Sequence, residues 1–197
     1  MKKAFFIGFN KTATSSLHSL FLNSGYKSIH WTDGKGCYAL DMYNNLKNKK
    51  PILDKIDADC LTDICSVPGY FPHLEGNDLY LDAEFFYKKW YAEYPDSYYI
   101  LQTRNMKDWI HSRIHHQRGK YLMKFQKYFN MKRKEVVEMW IKQYKDHHKN
   151  VKTFFTNKKN FIIFNIDKDP IQKVINFVKD DFKLNNSKWQ IYNATLR

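Results

Sequence analysis

The sequence predicts an α/β fold built on a mainly parallel sheet. Short apolar runs of strand length alternate along the chain with segments whose apolar residues recur at three- and four-residue spacing. Turn, cap and stop residues separate the two kinds of segment, as in strand–helix–strand units. No internal repeat, low-complexity tract or linker divides the 197 residues, so the whole chain, 1–197, is expected to form one domain.

Residues 4–9, AFFIGF, are a continuous apolar run, and residues 14–24 carry Leu17, Leu20 and Phe21 at helical spacing. Gly25 stops that helix, and residues 27–31 offer a second strand. Residues 38–46 place Ala39, Leu40, Tyr43 and Leu46 on one helical face. A third strand over 58–64 ends before the turn-prone Val67-Pro68-Gly69. Asp82 opens a helix over 82–94 that closes before Pro95. A strand over 98–102 leads into a helix over 106–117 preceded by Asn105. A long helix over 135–155, an apolar strand over 161–166, and a helix over 170–178 with Pro170 in its first turn complete the series.

Composition narrows the function classes. Hydrophobic residues at 43% and aromatics at 17% exclude a disordered tail and supply a core. No stretch approaches the roughly 20 apolar residues that cross a bilayer. The start of the chain imitates a secretory signal only briefly, because Asn10 and Lys11 interrupt the apolar run. A soluble, intracellular (cytoplasmic) protein is expected. Cys37, Cys60 and Cys65 cannot all pair within one chain and lack the spacing of a zinc ligand set, so they are expected as free or buried thiols. The formal net charge of +13 favours an anionic ligand or partner, but it is spread along the chain with only short clusters at 47–50 and 132–134.

The stretch GFNKTATSSLHSLF, residues 8–21, follows the first strand and opens the first helix. In open parallel sheets ligands bind beyond the carboxyl ends of strands. N–H groups at a helix start hold anions, Lys11 adds a full charge, and Thr12, Thr14, Ser15 and Ser16 add hydroxyl donors. The stretch is not a nucleoside-triphosphate loop of the Walker kind, since Asn10 rather than glycine precedes Lys11. An ordinary serine–threonine helix cap is the plain alternative.

Lys11-Thr12-Ala13-Thr14-Ser15 resembles the phosphosulfate-binding loop of sulfotransferases, Lys-Ser/Thr-Gly-Thr-Thr/Ser, with alanine in place of glycine. Alanine is tolerated there at negative φ and strained at positive φ. A second segment, YYILQTRNMKDWIHSR over 98–113, is similar to the family's strand that ends in an arginine, with a serine eight positions later: Arg104 and Ser112. The helical return places such a serine about two turns on, beside a forked arginine donor. Asn105-Met106-Lys107-Asp108-Trp109 departs from the family's segment only by Met106 in place of proline, and Tyr144, His147, Val151, Phe154 and Phe155 echo its C-terminal half.

The resemblance implies a three-layer α/β/α fold of the P-loop-like sulfotransferase kind. It implies transfer of a sulfuryl group from 3′-phosphoadenosine 5′-phosphosulfate (PAPS) to a hydroxyl or amine, with no metal. Lys11 is then the residue that neutralises developing charge. The loop 11–16 (Lys11, Thr12, Ala13, Thr14, Ser15, Ser16) holds the 5′-phosphate, and Arg104 and Ser112 hold the 3′-phosphate. His30, at the end of the second strand, is the first choice of general base and Asp63 the second, with His18 at the pocket edge. The family's Arg-Lys-Gly-x-x-Gly loop is missing, with Arg118-Gly119-Lys120 as a faint substitute, and Ser16 replaces the aromatic that stacks on adenine. His111 and His115 share a helix face without a third metal ligand, and Trp109 and Trp140 belong to the core. The acceptor, a small molecule or a glycan, is expected to meet loops over 31–50, 66–81 and 118–131, with Tyr70, Phe71 and Tyr121 among their aromatics. The alternatives are a P-loop-like kinase of a small metabolite and a non-catalytic polyanion or nucleic-acid binder; nucleic acid is not the expected partner of the leading reading.

Overall fold

A computed structural model of the protein describes residues 2–192. Five strands, β1 (Ala4–Phe6), β2 (Ser28–His30), β3 (Cys60–Thr62), β4 (Tyr98–Thr103) and β5 (Phe161–Asn165), pair in the order β2-β3-β1-β4-β5. Every pairing is parallel. Parallel neighbours require crossovers, and helices supply them: α1 (Thr14–Asn23), α2 (Tyr38–Lys47), α3 (Ala83–Glu93), α4 (Met106–His115), α5 (Lys120–Phe129), α6 (Arg133–Phe154) and α7 (Gln172–Val178).

Period-two alternation sends consecutive strand residues to opposite faces. Phe5, Ile29, Leu61, Tyr99 and Leu101 pack with Leu40 and Met42 of α2, Phe86 and Trp90 of α3, and Val151 of α6. Ala4, Phe6, Cys60, Tyr98, Ile100 and Phe164 pack on the other face with Leu17, Leu20 and Phe21 of α1 and Val174 and Val178 of α7. The architecture is therefore α/β/α. A third apolar cluster joins Phe9, Trp109, Tyr121, Phe125, Val136 and Trp140, beyond the strand ends. Trp109 and Trp140 are both fully buried, as their apolar stripes predict.

Several expected elements are shorter than the apolar pattern suggests. Residues 7–9 stay buried but leave the β1 pairing, with Ile7 N–H still donating to the Ile100 carbonyl at 2.9 Å. Gly8 explains the departure. Its N–H donates to Gln102 Oε1 at 2.8 Å, and a Cβ there would stand 2.0 Å from the Gln102 carbonyl oxygen. Strands 27–31 and 58–64 contract because Trp31 (φ 54°) and Asp63 (φ 51°) turn left-handed at their ends. The helix expected over 106–117 stops at His115, since Gln117 (φ 53°), Arg118 (φ 57°) and Gly119 (φ 85°) turn the chain.

Residues 118–131, expected as a loop, contain α5, whose Tyr121, Leu122 and Phe125 are buried on one face. Asp82 caps α3 as predicted, its side chain accepting from Glu84 N–H. Cys37, Cys60 and Cys65 are free and buried. Among the described residues no helix is long and apolar enough to cross a membrane.

Candidate active site

The carboxyl edge of the sheet presents the strand ends in spatial order: Trp31 after β2, Asp63 after β3, the 8–16 loop after β1, Arg104 after β4 and Ile166 after β5. The chain leaves β1 toward β2 on one side and β4 toward β5 on the other, so the crevice between β1 and β4 is a topological switch point. A cavity of about 510 Å³ opens there. Lys11, Ala13, Thr14, Ser15, His30, Asp63, Arg104 and Ser112 all contribute to its lining.

The loop that bears Lys11 is held by Asn10. The Asn10 amide donates to the Tyr121 hydroxyl at 2.8 Å, its Oδ1 accepts from Arg113 Nε at 3.0 Å, and its carbonyl accepts from Trp109 Nε1 at 2.9 Å. Arg113 is fully buried, with its guanidinium carbon 4.2 Å from the Trp109 ring centroid and 5.1 Å from that of Trp140. Aromatic rings thus surround a buried cation that also meets Tyr80 and the nearby Asp82 carboxylate, and one of its hydrogen bonds goes to the residue before Lys11.

Lys11 and Ala13 both have left-handed backbone, with φ of 64° and 62°. The glycine-like conformation is therefore required at Ala13, and the alanine is strained, of the two cases the one that carries a cost. Trp31, Asp63 and Gln117 are non-glycine residues at positive φ on the same cavity, so backbone strain gathers around it. Ala13 stands at the N-cap of α1, where no side chain caps the helix and no acidic residue occupies the first turn. The first-turn residues Thr14 and Ser15 line the cavity, so the positive end of the helix dipole opens onto it, with the Thr14 hydroxyl donating to Asp63 Oδ2 at 3.5 Å and Ser15 Oγ 3.5 Å from His30 Nε2.

The hydroxyls divide. Thr14 and Ser15 line the cavity, whereas the Thr12 hydroxyl donates to the Phe9 carbonyl and Ser16 Oγ accepts from Tyr192 N–H at 2.9 Å. Both Thr12 and Ser16 are buried, and neither is part of the cavity lining.

Arg104 Nη1 donates to the Lys11 carbonyl at 3.3 Å, so the two separated motifs meet. Arg104 Nε is buried without a partner among the described residues. The end of β4 is braced from α6: the Tyr144 hydroxyl donates to the Arg104 carbonyl at 2.6 Å and meets Thr103 Oγ1 at 2.7 Å, and His148 Nε2 meets the same Oγ1 at 2.8 Å. Among the described residues neither Lys11 nor Arg104 is ion-paired to a carboxylate.

Burial lowers the pKa of Lys11, Asp63 opposing and Arg104 adding to the shift. Lys11 Nζ lies 3.2 Å from His116 Nδ1. Burial, with Lys11 nearby, depresses the His116 pKa to about 4, so its neutral ring accepts from the ammonium. His30 and Asp63, the two candidate bases, are neighbours rather than rivals in space: His30 Nε2 lies 3.5 Å from Asp63 Oδ2 and 3.3 Å from Thr14 Oγ1. His18 is not part of the cavity lining; its Nδ1 meets Ser28 Oγ at 2.8 Å and burial depresses its pKa to about 4.

Sequence reasoning passed over Asn10, His116, Gln117 and the tail residues Ile191 and Tyr192, which also line the cavity. Asn10 and His116 adjoin the quoted motifs, but only packing against α4 and α5 reveals their direction. The Arg118-Gly119-Lys120 stretch makes the α4–α5 turn and does not line the cavity. His111 and His115 stack with ring centroids 4.1 Å apart, and no group of three or more His, Cys, Asp or Glu residues forms a metal cluster among the described residues.

No family model matches the chain, and no curated protein matches it. Among solved structures it is similar to a sulfotransferase from Alicyclobacillus acidocaldarius. That match has a TM-score of 0.49 at 14% identity and covers 98% of this chain and 87% of the other.

Proposed function

We propose that the protein is a PAPS-dependent sulfotransferase. The supporting observation is the pair of cations, Lys11 and Arg104, that converge on one cavity at the switch point and, among the described residues, form no ion pair with a carboxylate. Two fixed cations flanking an uncapped helix start suit a ligand with two separated anionic groups. A 3′,5′-bisphosphorylated nucleoside is such a ligand, and the resemblance of residues 11–15 and 104–112 to the family's two phosphate motifs names the same one.

In this reading the 5′-phosphate rests on the N–H groups of residues 12–16 and the Thr14 and Ser15 hydroxyls, while Arg104 and Ser112 take the 3′-phosphate. Lys11, transferred from His116 to the bridging oxygen, stabilises the charge that grows there as the sulfur–oxygen bond breaks. The acceptor hydroxyl attacks sulfur in line, and its proton passes to His30, whose ring Asp63 orients. Catalysis is positioning plus charge stabilisation, and no step calls for a metal.

The test is direct. Purified protein incubated with PAPS and an acceptor mixture should release adenosine 3′,5′-bisphosphate with matching sulfation of an acceptor, and Lys11→Ala should abolish both. Consumption of ATP with magnesium, and none of PAPS, would overturn the assignment in favour of a kinase.

A further inference from the structure

Acidic residues are spread less evenly along the chain than lysines are. Residues 109–134 hold eight of the 33 lysines and arginines and none of the 20 aspartates and glutamates, so more than half of the formal charge of +13 falls on this stretch. Arg113 is buried against Trp109 and Trp140. The other seven run from Arg118 to Lys134 along the α4–α5 turn, α5 and the start of α6, and all but the half-buried Lys124 are exposed. Elsewhere on the surface lysines meet carboxylates: Lys47 pairs with Glu75 at 3.2 Å, Lys142 with Asp146 at 2.6 Å and Lys173 with Asp169 at 2.9 Å. In this stretch only Lys134 does so among the described residues, with Glu138 at 3.8 Å. Lys124 Nζ donates to the Gly69 carbonyl, and Glu135, the acid that ends the stretch, accepts from the Lys132 N–H at 2.6 Å.

The α5 helix presents this charge on one side. Its Tyr121, Leu122 and Phe125 are buried in the third cluster. Lys120, Met123, Lys124, Lys127 and Tyr128, at the spacing i, i+3, i+4, i+7 and i+8, form the outward stripe. Two apolar side chains therefore stand among three lysines in solvent, Met123 64% exposed and Tyr128 43% exposed. The helix also starts at the cavity, which Gln117 and Tyr121 line together with the exposed Ile191 and Tyr192. Of the large apolar side chains exposed among the described residues, only Leu22, near the end of α1, lies outside this region.

We propose that the outward face of α5, with the turn before it and the start of α6, docks the protein on an anionic lipid bilayer. The inference stands apart from the sulfotransferase reading. Unopposed lysines and arginines on an amphipathic helix are drawn to the negative surface potential of such a bilayer, each raising affinity by about fivefold. Met123 and Tyr128 decide between anionic partners. A nucleic acid or a sulfated glycan matches the lysines and leaves Met123 in water. The boundary between headgroups and acyl chains takes the apolar side chains and the ammonium groups together, with the lysine stems lying along the apolar surface. Contact of this kind is peripheral and needs no spanning helix. Because α5 starts at the cavity, the docked protein holds the cavity mouth beside the headgroups.

Sedimentation of the full chain with vesicles tests this, with phosphatidylcholine alone and with roughly three parts phosphatidylcholine to one part phosphatidylserine. Binding is expected to the mixed vesicles only, and it should weaken as salt rises. Lys120→Gln, Lys127→Gln and Arg133→Gln together should weaken it by about a hundredfold, and Met123→Ser with Tyr128→Ser by about tenfold. All five side chains are exposed, so an unchanged Tm serves as the folding control for both variants. Heparin and duplex DNA, added at a charge concentration equal to that of the lipid, should leave the protein on the mixed vesicles. No binding to mixed vesicles at low salt, equal binding to phosphatidylcholine, or binding indifferent to either variant would overturn the inference. Release by heparin or DNA would overturn it as well, by making a polyanion the partner of this face.

Discussion

Exchanging Ala13 for glycine should stabilise the protein, although glycine loses more chain freedom on folding than alanine does. Ala13 holds φ 62° and ψ 26°, a left-handed conformation that costs an L-residue about 1–2 kcal/mol. Glycine removes that cost but adds about 0.5–1 kcal/mol of unfolded-chain entropy. The difference is a gain of roughly 0.5–1 kcal/mol, and for a chain of this size about 1 kcal/mol moves Tm by roughly 2–4 °C. Scanning calorimetry of the Ala13→Gly variant should therefore show a Tm higher by about 1–4 °C. The reverse exchange five residues earlier sharpens the test. At Gly8 φ is not the issue; a Cβ would collide with the Gln102 carbonyl at 2.0 Å and the Gln102 side chain at 2.8 Å. Gly8→Ala should cost about 1–3 kcal/mol as β1 and β4 are forced apart. A lower Tm for Ala13→Gly would refute the left-handed assignment and with it the strained loop.

Asn10→Ala should lower the urea midpoint by more than a surface change, since it strands Arg113 Nε and the Tyr121 hydroxyl inside the third cluster, at about 1–3 kcal/mol for each buried group. Tyr144→Phe removes the donor to the Arg104 carbonyl, so it should weaken bisphosphate binding in calorimetry while costing only about 1 kcal/mol of stability. Acid should destabilise the fold early. His18, His116 and His148 are each depressed from 6.5 to about 4, so the unfolded chain binds more protons, and the stability present above pH 6.5 falls as pH drops toward 4. Urea midpoints measured at pH 7.5, 5.5 and 4.5 should decline in that order, and a flat profile across 6.5 to 4 would contradict the neutral assignment of these rings.

The strand–helix alternation is legible because each element's apolar spacing reports its own geometry: Leu17, Leu20 and Phe21 cover one stripe of α1, and Phe5 faces opposite Phe6 in β1. Strand ends are less legible: Trp31 turns left-handed for reasons of tertiary fit, without the glycine, asparagine or aspartate that signals such a turn, whereas Asp63 is of the type that tolerates it. The α5 helix was hidden for another reason. Tyr121, Leu122 and Phe125 follow a Gly-Lys pair within a basic, aromatic stretch that reads equally as a loop, and its partner Trp140 lies on α6. At the site, Lys11 and Arg104 are marked by local motifs, and their meeting across 93 positions of sequence follows from the strand order. His116 is invisible locally, because what gives it a place is the three-residue left-handed turn behind it and the lysine from another segment.

One titration bears most directly on the claim that the 11–16 loop and Arg104 hold the two phosphates of a single ligand. Adenosine 3′,5′-bisphosphate and adenosine 5′-phosphate are each titrated calorimetrically into the wild-type chain and into Arg104→Ala. The account predicts much tighter binding of the bisphosphate by the wild type and the loss of that preference in the variant, through weaker bisphosphate binding with the 5′-phosphate little changed. Equal affinity of the wild type for the two nucleotides, or a preference that survives without the arginine, would contradict it.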